Sequence, residues 1–246
     1  MEKRISILFH NYYGQDQEWA SFIGKNIISD HVLYVNTVRD SYYRLKEDAA
    51  MSGEAAFLEK DTNRHIVWRQ SGNVGKDIGG KLVLMDAFLR LQDKSEYLLL
   101  LHDKRSPYHV NRDMWASGLL SIAEKDGLTK ALSSMEKDER IGMMTAENTI
   151  TQEEGDDKYS RESSLVKGLL RNYQLNPPDL RFAAGAMFLV RASIYKDFFI
   201  KYSPLEIRGS LGESKVLDNE GPTIMHGWER MLSWIVTSAG YKLDSL

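Results

Sequence analysis

Apolar and polar positions along the chain follow two periods. RISILFHN (4–11), with its apolar residues at 5 and 7–9, reads as a first strand, while residues 17–28 place Trp19, Phe22, Ile23 and Ile27 at helical spacing. HVLYVN (31–36) and HIVWRQ (65–70) are further β-rich runs, separated by a charged, alanine-rich stretch (40–60) that reads as helix and loop. SGNVGKDIGG then leads into an apolar-periodic helix over about 78–91, followed by YLLLLH (97–102). Strands alternating with helices through the first hundred residues predict βαβ units and a parallel sheet with right-handed crossovers. The second half is less regular. Residues 115–136 read as one or two helices, IGMMTA (141–146) as a buried strand, and TQEEGDDKYSR (151–161), which has no apolar face, as a surface loop or a lid over a bound donor. NPPD (176–179) is a turn, FAAGAMFLVR (182–191) a short apolar strand interrupted by Gly185, and 225–239 a helix ended by Gly240. Without repeats or long linkers, one α/β domain over 1–246 is expected: a mostly parallel central sheet flanked by helices, with halves over about 1–110 and about 111–246.

The polar residues that interrupt these runs concentrate where strands end. In YLLLLHDKRS (97–106) an apolar run meets His102, Asp103, Lys104 and Arg105. A buried parallel strand is apolar on both faces and presents charge at its carboxyl end, where ligands of α/β sheets bind. The plainer reading is a strand running into a solvated loop. Two chemistries fit the functional one. Asp103, with His102 beside it, can hold Mg²⁺ or Mn²⁺ through hard carboxylate oxygen, the ion bridging a diphosphate. Lys104 and Arg105 can instead neutralise a leaving diphosphate without metal.

Asn73, Gly75, Lys76 and Asp77 lie between a strand and a helix, where glycines permit tight turns and helix-start amides face an anion. Neither a Walker sequence nor a dinucleotide fingerprint is present, and Asp77 as a plain helix cap is the simpler alternative. In HGWER (226–230), His226 and Glu229 stand three apart, hence on one helix face. Either can act as a general base, although a packed His and a solvated Glu would look the same. His31, His65 and His109 are isolated. His10, at the end of the first run beside Tyr12 and Tyr13, is the remaining histidine near the expected nucleotide edge.

Composition narrows the classes. A length of 246 residues with 42% hydrophobic content supports a sizeable core, and a net charge of −3 with scattered basic residues disfavours nucleic acid as a partner. The absence of cysteine excludes disulfides, thiolate metal sites and a cysteine nucleophile. The opening MEKRISILFHNYYG holds an apolar run too short for a secretory or spanning segment, so a cytoplasmic protein is expected, with any membrane association through partners at the inner face.

Taken in order, FHNYY, NVGKDIG, LHDKRS, AGAMFLVR and HGWER resemble the motif series of the rhamnan synthesis protein F family. The resemblance covers most of the chain. It implies a GT-A-like glycosyltransferase of bacterial cell-surface polysaccharide assembly, moving rhamnose or another hexose from a nucleoside-diphosphate donor to a hydroxyl of a glycan or lipid-linked glycan, with inversion. By that resemblance His10, Asn73, Gly75, Lys76, Asp77, His102, Asp103 and Lys104 line the nucleotide sugar, Gly185 the acceptor side, and Glu229, with His226, the catalytic position. The pattern departs from many GT-A enzymes twice: Arg230 stands where an acid would follow Glu229, and the second acid of an Asp-x-Asp motif is missing. A noncatalytic sugar-nucleotide or glycan-binding module is the rival expectation.

Overall fold

Four apolar runs with β-branched and aromatic content form the strands β1 (Ile5–Asn11), β2 (His31–Val38), β3 (His65–Ser71) and β4 (Tyr97–His102). They belong to a computed structural model that describes residues 4–12, 16–27, 31–38, 65–103, 118–152, 163–212 and 223–246. Five further strands complete the described part: β5 (Ile141–Thr145), β6 (Ile150–Gln152), β7 (Arg181–Ala183), β8 (Phe188–Arg191) and β9 (Lys242–Ser245). The helices are α1 (Asp16–Asn26), α2 (Lys76–Arg90), α3 (Lys125–Lys137), α4 (Ser164–Asn172), α5 (Ala192–Lys201), α6 (Pro204–Ser210) and α7 (Ile224–Ser238).

Seven strands make one sheet in the order β3-β2-β1-β4-β8-β5-β9. The pairs β2–β3, β1–β2, β1–β4 and β5–β9 are parallel, while β8 runs antiparallel to both β4 and β5. The fold is therefore α/β, with a mostly parallel sheet flanked by helices, as expected. β6 and β7 form a separate antiparallel pair.

Side-chain alternation along the strands divides the core into two layers. Leu8, Tyr34, Leu98, Leu100 and Phe188 pack with Ile78, Leu82 and Phe88 of α2, Tyr195 of α5, and Trp228 and Trp234 of α7. On the opposite face Ile5, Ile7, Leu99 and Leu101 pack with Ile23 of α1 and with Leu128, Ala131 and Met135 of α3. Because β1 and β4 are covered on both faces, their sequences, Ser6 apart, are apolar without alternation until the carboxyl end, where polarity becomes tolerable. A buried carboxylate at the other end of these strands is fully explained by structure. Asp93 accepts from Ser6 Oγ (3.0 Å), Tyr34 Oη (2.8 Å) and both the amide and hydroxyl of Ser95 (2.8 Å each). Burial alone would raise its pKa, but these donors more than compensate and hold it below the usual carboxylate value.

Three expectations need correction. FAAGAMFLVR is not one strand: it splits at Gly185 into β7 and β8, which lie in different sheets. Asp77 does not cap α2, whose N-cap is Gly75 in the left-handed region (φ 74°) without a side-chain bond. Residues 151 and 152 of the charged segment belong to β6 rather than to a loop. The stretch 40–60, the rest of that charged segment through 161, and Lys104, Arg105 and His109 lie outside the described residues. Among the described residues no helix is long and apolar enough to cross a membrane.

Candidate functional site

From β1 the chain proceeds outward to β2 and β3, then returns through α2 to β4 on the other side of β1. The carboxyl ends of β1 and β4 thus flank the point where strand order reverses, the place at which open α/β sheets bind ligands in a crevice outside the strand ends. Strand register sets a polar row at that edge: His102 pairs with His10, His10 with Asn36, and Asn36 with Arg69. One step on, the Asp103 amide donates to the His10 carbonyl (3.1 Å) and the Tyr12 amide donates to Asp103 Oδ1 (2.7 Å). Asp103, only 4% exposed, is consequently held by the backbone of β1 as well as by its own strand.

His10 is 2% exposed, and its ring lies on Gly80 of α2 so closely that a Cβ there would sit 2.0 Å from Nδ1. Its proton can be placed by following the donors. The Ser71 hydroxyl donates to the Gly72 carbonyl (3.1 Å), so Asn36 Nδ2 is the donor to Ser71 Oγ (3.0 Å) and to His10 Nδ1 (3.0 Å). His10 therefore carries its proton on Nε2, which has no hydrogen-bond acceptor among the described residues. Burial lowers the His10 pKa to about 4, with Lys81 and Arg208 acting in the same direction and Asp77 opposing them. At neutral pH it is an uncharged imidazole.

Sequence reasoning overlooked Lys81. It occupies the buried stripe of α2 with Ile78, Leu82 and Met85 and is 3% exposed. Its ammonium donates to Asp77 Oδ2 (3.2 Å), His102 Nδ1 (3.0 Å) and the Ala186 carbonyl (2.7 Å). A lysine at an i, i+3, i+4, i+7 apolar position, with an aspartate one turn earlier, was the signal available. The same contacts give Asp77 its task as counter-ion, and they keep His102 Nδ1 an acceptor.

At Gly75 the glycine-containing loop before α2 packs against the segment that follows α6. The Gly75 amide donates to the Gly212 carbonyl (3.3 Å), and Leu211 lies 2.5 Å from where a Cβ would project. Arg208 of α6 ties the same turn down by donating to the Gly72 carbonyl (2.9 Å). Asn73 and Lys76 flank this turn, Lys76 itself with φ 51°.

In the turn before β8, Gly185 (φ 83°) and Ala186 (φ 51°) are consecutive left-handed residues. Gly185 is required twice over, by its dihedral and by Leu119 methyls within 2.7 Å of a Cβ position. Its amide donates to Glu229 Oε1 (2.7 Å). Arg230 Nη1 lies 3.6 Å from Glu229 Oε2 and donates to the His226 carbonyl (2.9 Å), while its guanidinium stacks 4.3 Å from the Phe182 ring. His226 sits one turn earlier on α7, with Nδ1 2.9 Å from the hydroxyl of Thr223, the helix cap.

Glu229, Gly185, Ala186, Lys81 and His102 with Asp77 thus form a continuous series across the crevice, joining two groups that are far apart in sequence. Two of the described carboxylates stand at this edge: Asp103, bonded through Oδ1 to the Tyr12 amide, and Asp77, paired with Lys81. Among the described residues no three His, Asp or Glu side chains cluster as a ligand set. No protein-family profile and no curated protein sequence matches the chain.

Proposed function

We propose that this protein is a GT-A-like glycosyltransferase that moves a sugar from a nucleoside-diphosphate donor to a hydroxyl of a growing cell-surface glycan, as its resemblance to the rhamnan synthesis protein F family implies. The observation that supports the reading is the convergence, at the carboxyl ends of β1 and β4, of His10, His102 and Asp103 with the turn that holds Glu229, joined through Lys81. The donor diphosphate sits over the ends of β1 and β4, and the acceptor hydroxyl faces Gly185 and Glu229. Glu229 takes the acceptor proton as that oxygen attacks the anomeric carbon, and the nucleoside diphosphate leaves with the glycosidic bond's electron pair. With Oε1 held by the Gly185 amide, Oε2 is the oxygen left for this role, beside Arg230. Asp103 would hold a divalent cation if one is used, which would supply positive charge for the leaving group; Lys104 would supply that charge without metal.

Incubation with a panel of nucleoside-diphosphate sugars, reading released nucleoside diphosphate with and without glycan acceptors, tests the reading. Release from at least one donor, accelerated by an acceptor, is the expected result. Saturable binding of a donor without release identifies a binding module instead, and absence of both binding and release refutes the assignment.

A further inference from the structure

We infer that Lys81 is a positioning residue, a buried staple that fixes the turn presenting Glu229 relative to the β4 edge; this rests on the function proposed above. A lysine at 3% exposure loses nearly all its hydration, and side-chain packing alone would favour leucine or methionine at this apolar position. What the ammonium does that a methyl cannot is bind three oxygen or nitrogen acceptors from three elements: Asp77 on α2, His102 at the end of β4, and Ala186 in the turn before β8. Asp77 sits on its own helix and compensates the charge. The other two partners are 21 and 105 positions away in sequence, so the same atom ties the diphosphate edge to the acceptor-side turn.

The turn needs such a tie. Ala186 is in the left-handed region, where a residue with a Cβ is disfavoured. Its carbonyl is aimed at Lys81 Nζ at 2.7 Å, and two peptide planes earlier the Gly185 amide is aimed at Glu229 Oε1, also at 2.7 Å. Releasing the carbonyl loosens the left-handed dihedrals of Gly185 and Ala186 that set these two planes relative to each other. The Glu229 carboxylate then loses a charge-assisted bond and with it a fixed orientation. His102 changes too: an ammonium donor at Nδ1 confines its own proton to Nε2, and removing that donor removes the preference.

Hydrogen exchange at the Gly185 amide, followed by NMR, tests this without any substrate. In Lys81→Met, Gly185 should exchange about tenfold faster or more, as expected for loss of one charge-assisted hydrogen bond, while the core amides of Leu99 and Leu189 remain as in the parent protein. Because Lys81→Met strands Asp77, the paired change Asp77→Asn with Lys81→Met supplies a second variant. Neutral, apolar replacements of buried ion pairs are often tolerated, so this variant keeps the test open if the single one fails to fold. With an active donor, Lys81→Met should lose kcat by roughly tenfold to a hundredfold with a much smaller change in KM for the donor, the signature of misplaced chemistry rather than lost binding. Unaltered exchange at Gly185, or exchange raised equally at Gly185, Leu99 and Leu189, overturns the inference. A parent protein that turns over no donor overturns the proposed function, leaving the exchange result to decide the staple by itself.

Discussion

Acidification isolates the burial of His10. In the unfolded chain this imidazole takes up a proton at its ordinary pKa of 6.5, whereas the folded environment lowers it to about 4. Above 6.5 the group is neutral in both states and contributes nothing to pH dependence. As pH falls from 6.5 toward 4, the unfolded state binds the proton first, so stability declines with a slope approaching about 1.4 kcal/mol per pH unit. Below about 4 both states are protonated and the loss stops growing. Integrated over that window, His10 removes about 3 kcal/mol, a large share of the stability of an ordinary domain. The buried Asp93 carboxyl, whose pKa is held below its usual value, loses its contribution only as pH falls below the normal carboxylate range, and it does so in any variant. The assay is urea denaturation followed by tryptophan fluorescence, for the parent and His10→Gln, from about pH 7.5 to about pH 4. The difference between the two proteins, not either curve alone, reports His10. It should narrow by about 3 kcal/mol toward acid, in favour of the variant. Parallel stability profiles across the window would refute a buried, neutral His10.

The neighbouring glycine offers a test in which local and tertiary preferences disagree. Alanine in a helix interior is normally favoured over glycine by up to about 1 kcal/mol, but a Cβ at Gly80 meets the His10 ring, so Gly80→Ala should destabilise by about 1–3 kcal/mol in thermal denaturation; a raised Tm would contradict the close packing. Glu229→Gln retains an oxygen for the Gly185 amide while removing basicity, so turnover should fall about a hundredfold with donor affinity by calorimetry unchanged, and near-normal turnover would pass the role to His226. Chelation separates the two ways of stabilising the diphosphate: if Asp103 holds a cation, activity vanishes with chelator and returns with Mn²⁺ or Mg²⁺; if Lys104 supplies the charge, activity survives chelation and collapses in Lys104→Ala; indifference to both treatments removes this segment from the reaction.

Much of the sheet was legible from local pattern. β1 through β4 and helices α1, α2 and α7 agree with the sequence boundaries within a few residues, because each is a strong apolar run or a clear helical stripe. The polar edge was legible too, since HDK must follow a strand whose preceding residues are buried on both faces. Helices α4, α5 and α6 and strand β9 were not read. α4 has only Val166 and Leu169 fully buried, and α6 is a seven-residue segment after Ser203-Pro204, too short for a period to declare itself.

What sequence alone determined is therefore the α/β class, the central parallel strands and the identity of the polar residues at their ends, all consequences of period and solvent exposure within a few neighbouring positions. Tertiary structure decided the remainder. The left-handed turn at Gly185 and Ala186 splits one apolar run between two sheets, and β8 enters antiparallel between β4 and β5 because its pairing is satisfied by strands remote in the chain. It also made Lys81 part of the site: a lysine is tolerable in an apolar stripe only when its charge is met, and the carbonyl it meets at Ala186 is 105 positions away, a relation that no local pattern can encode.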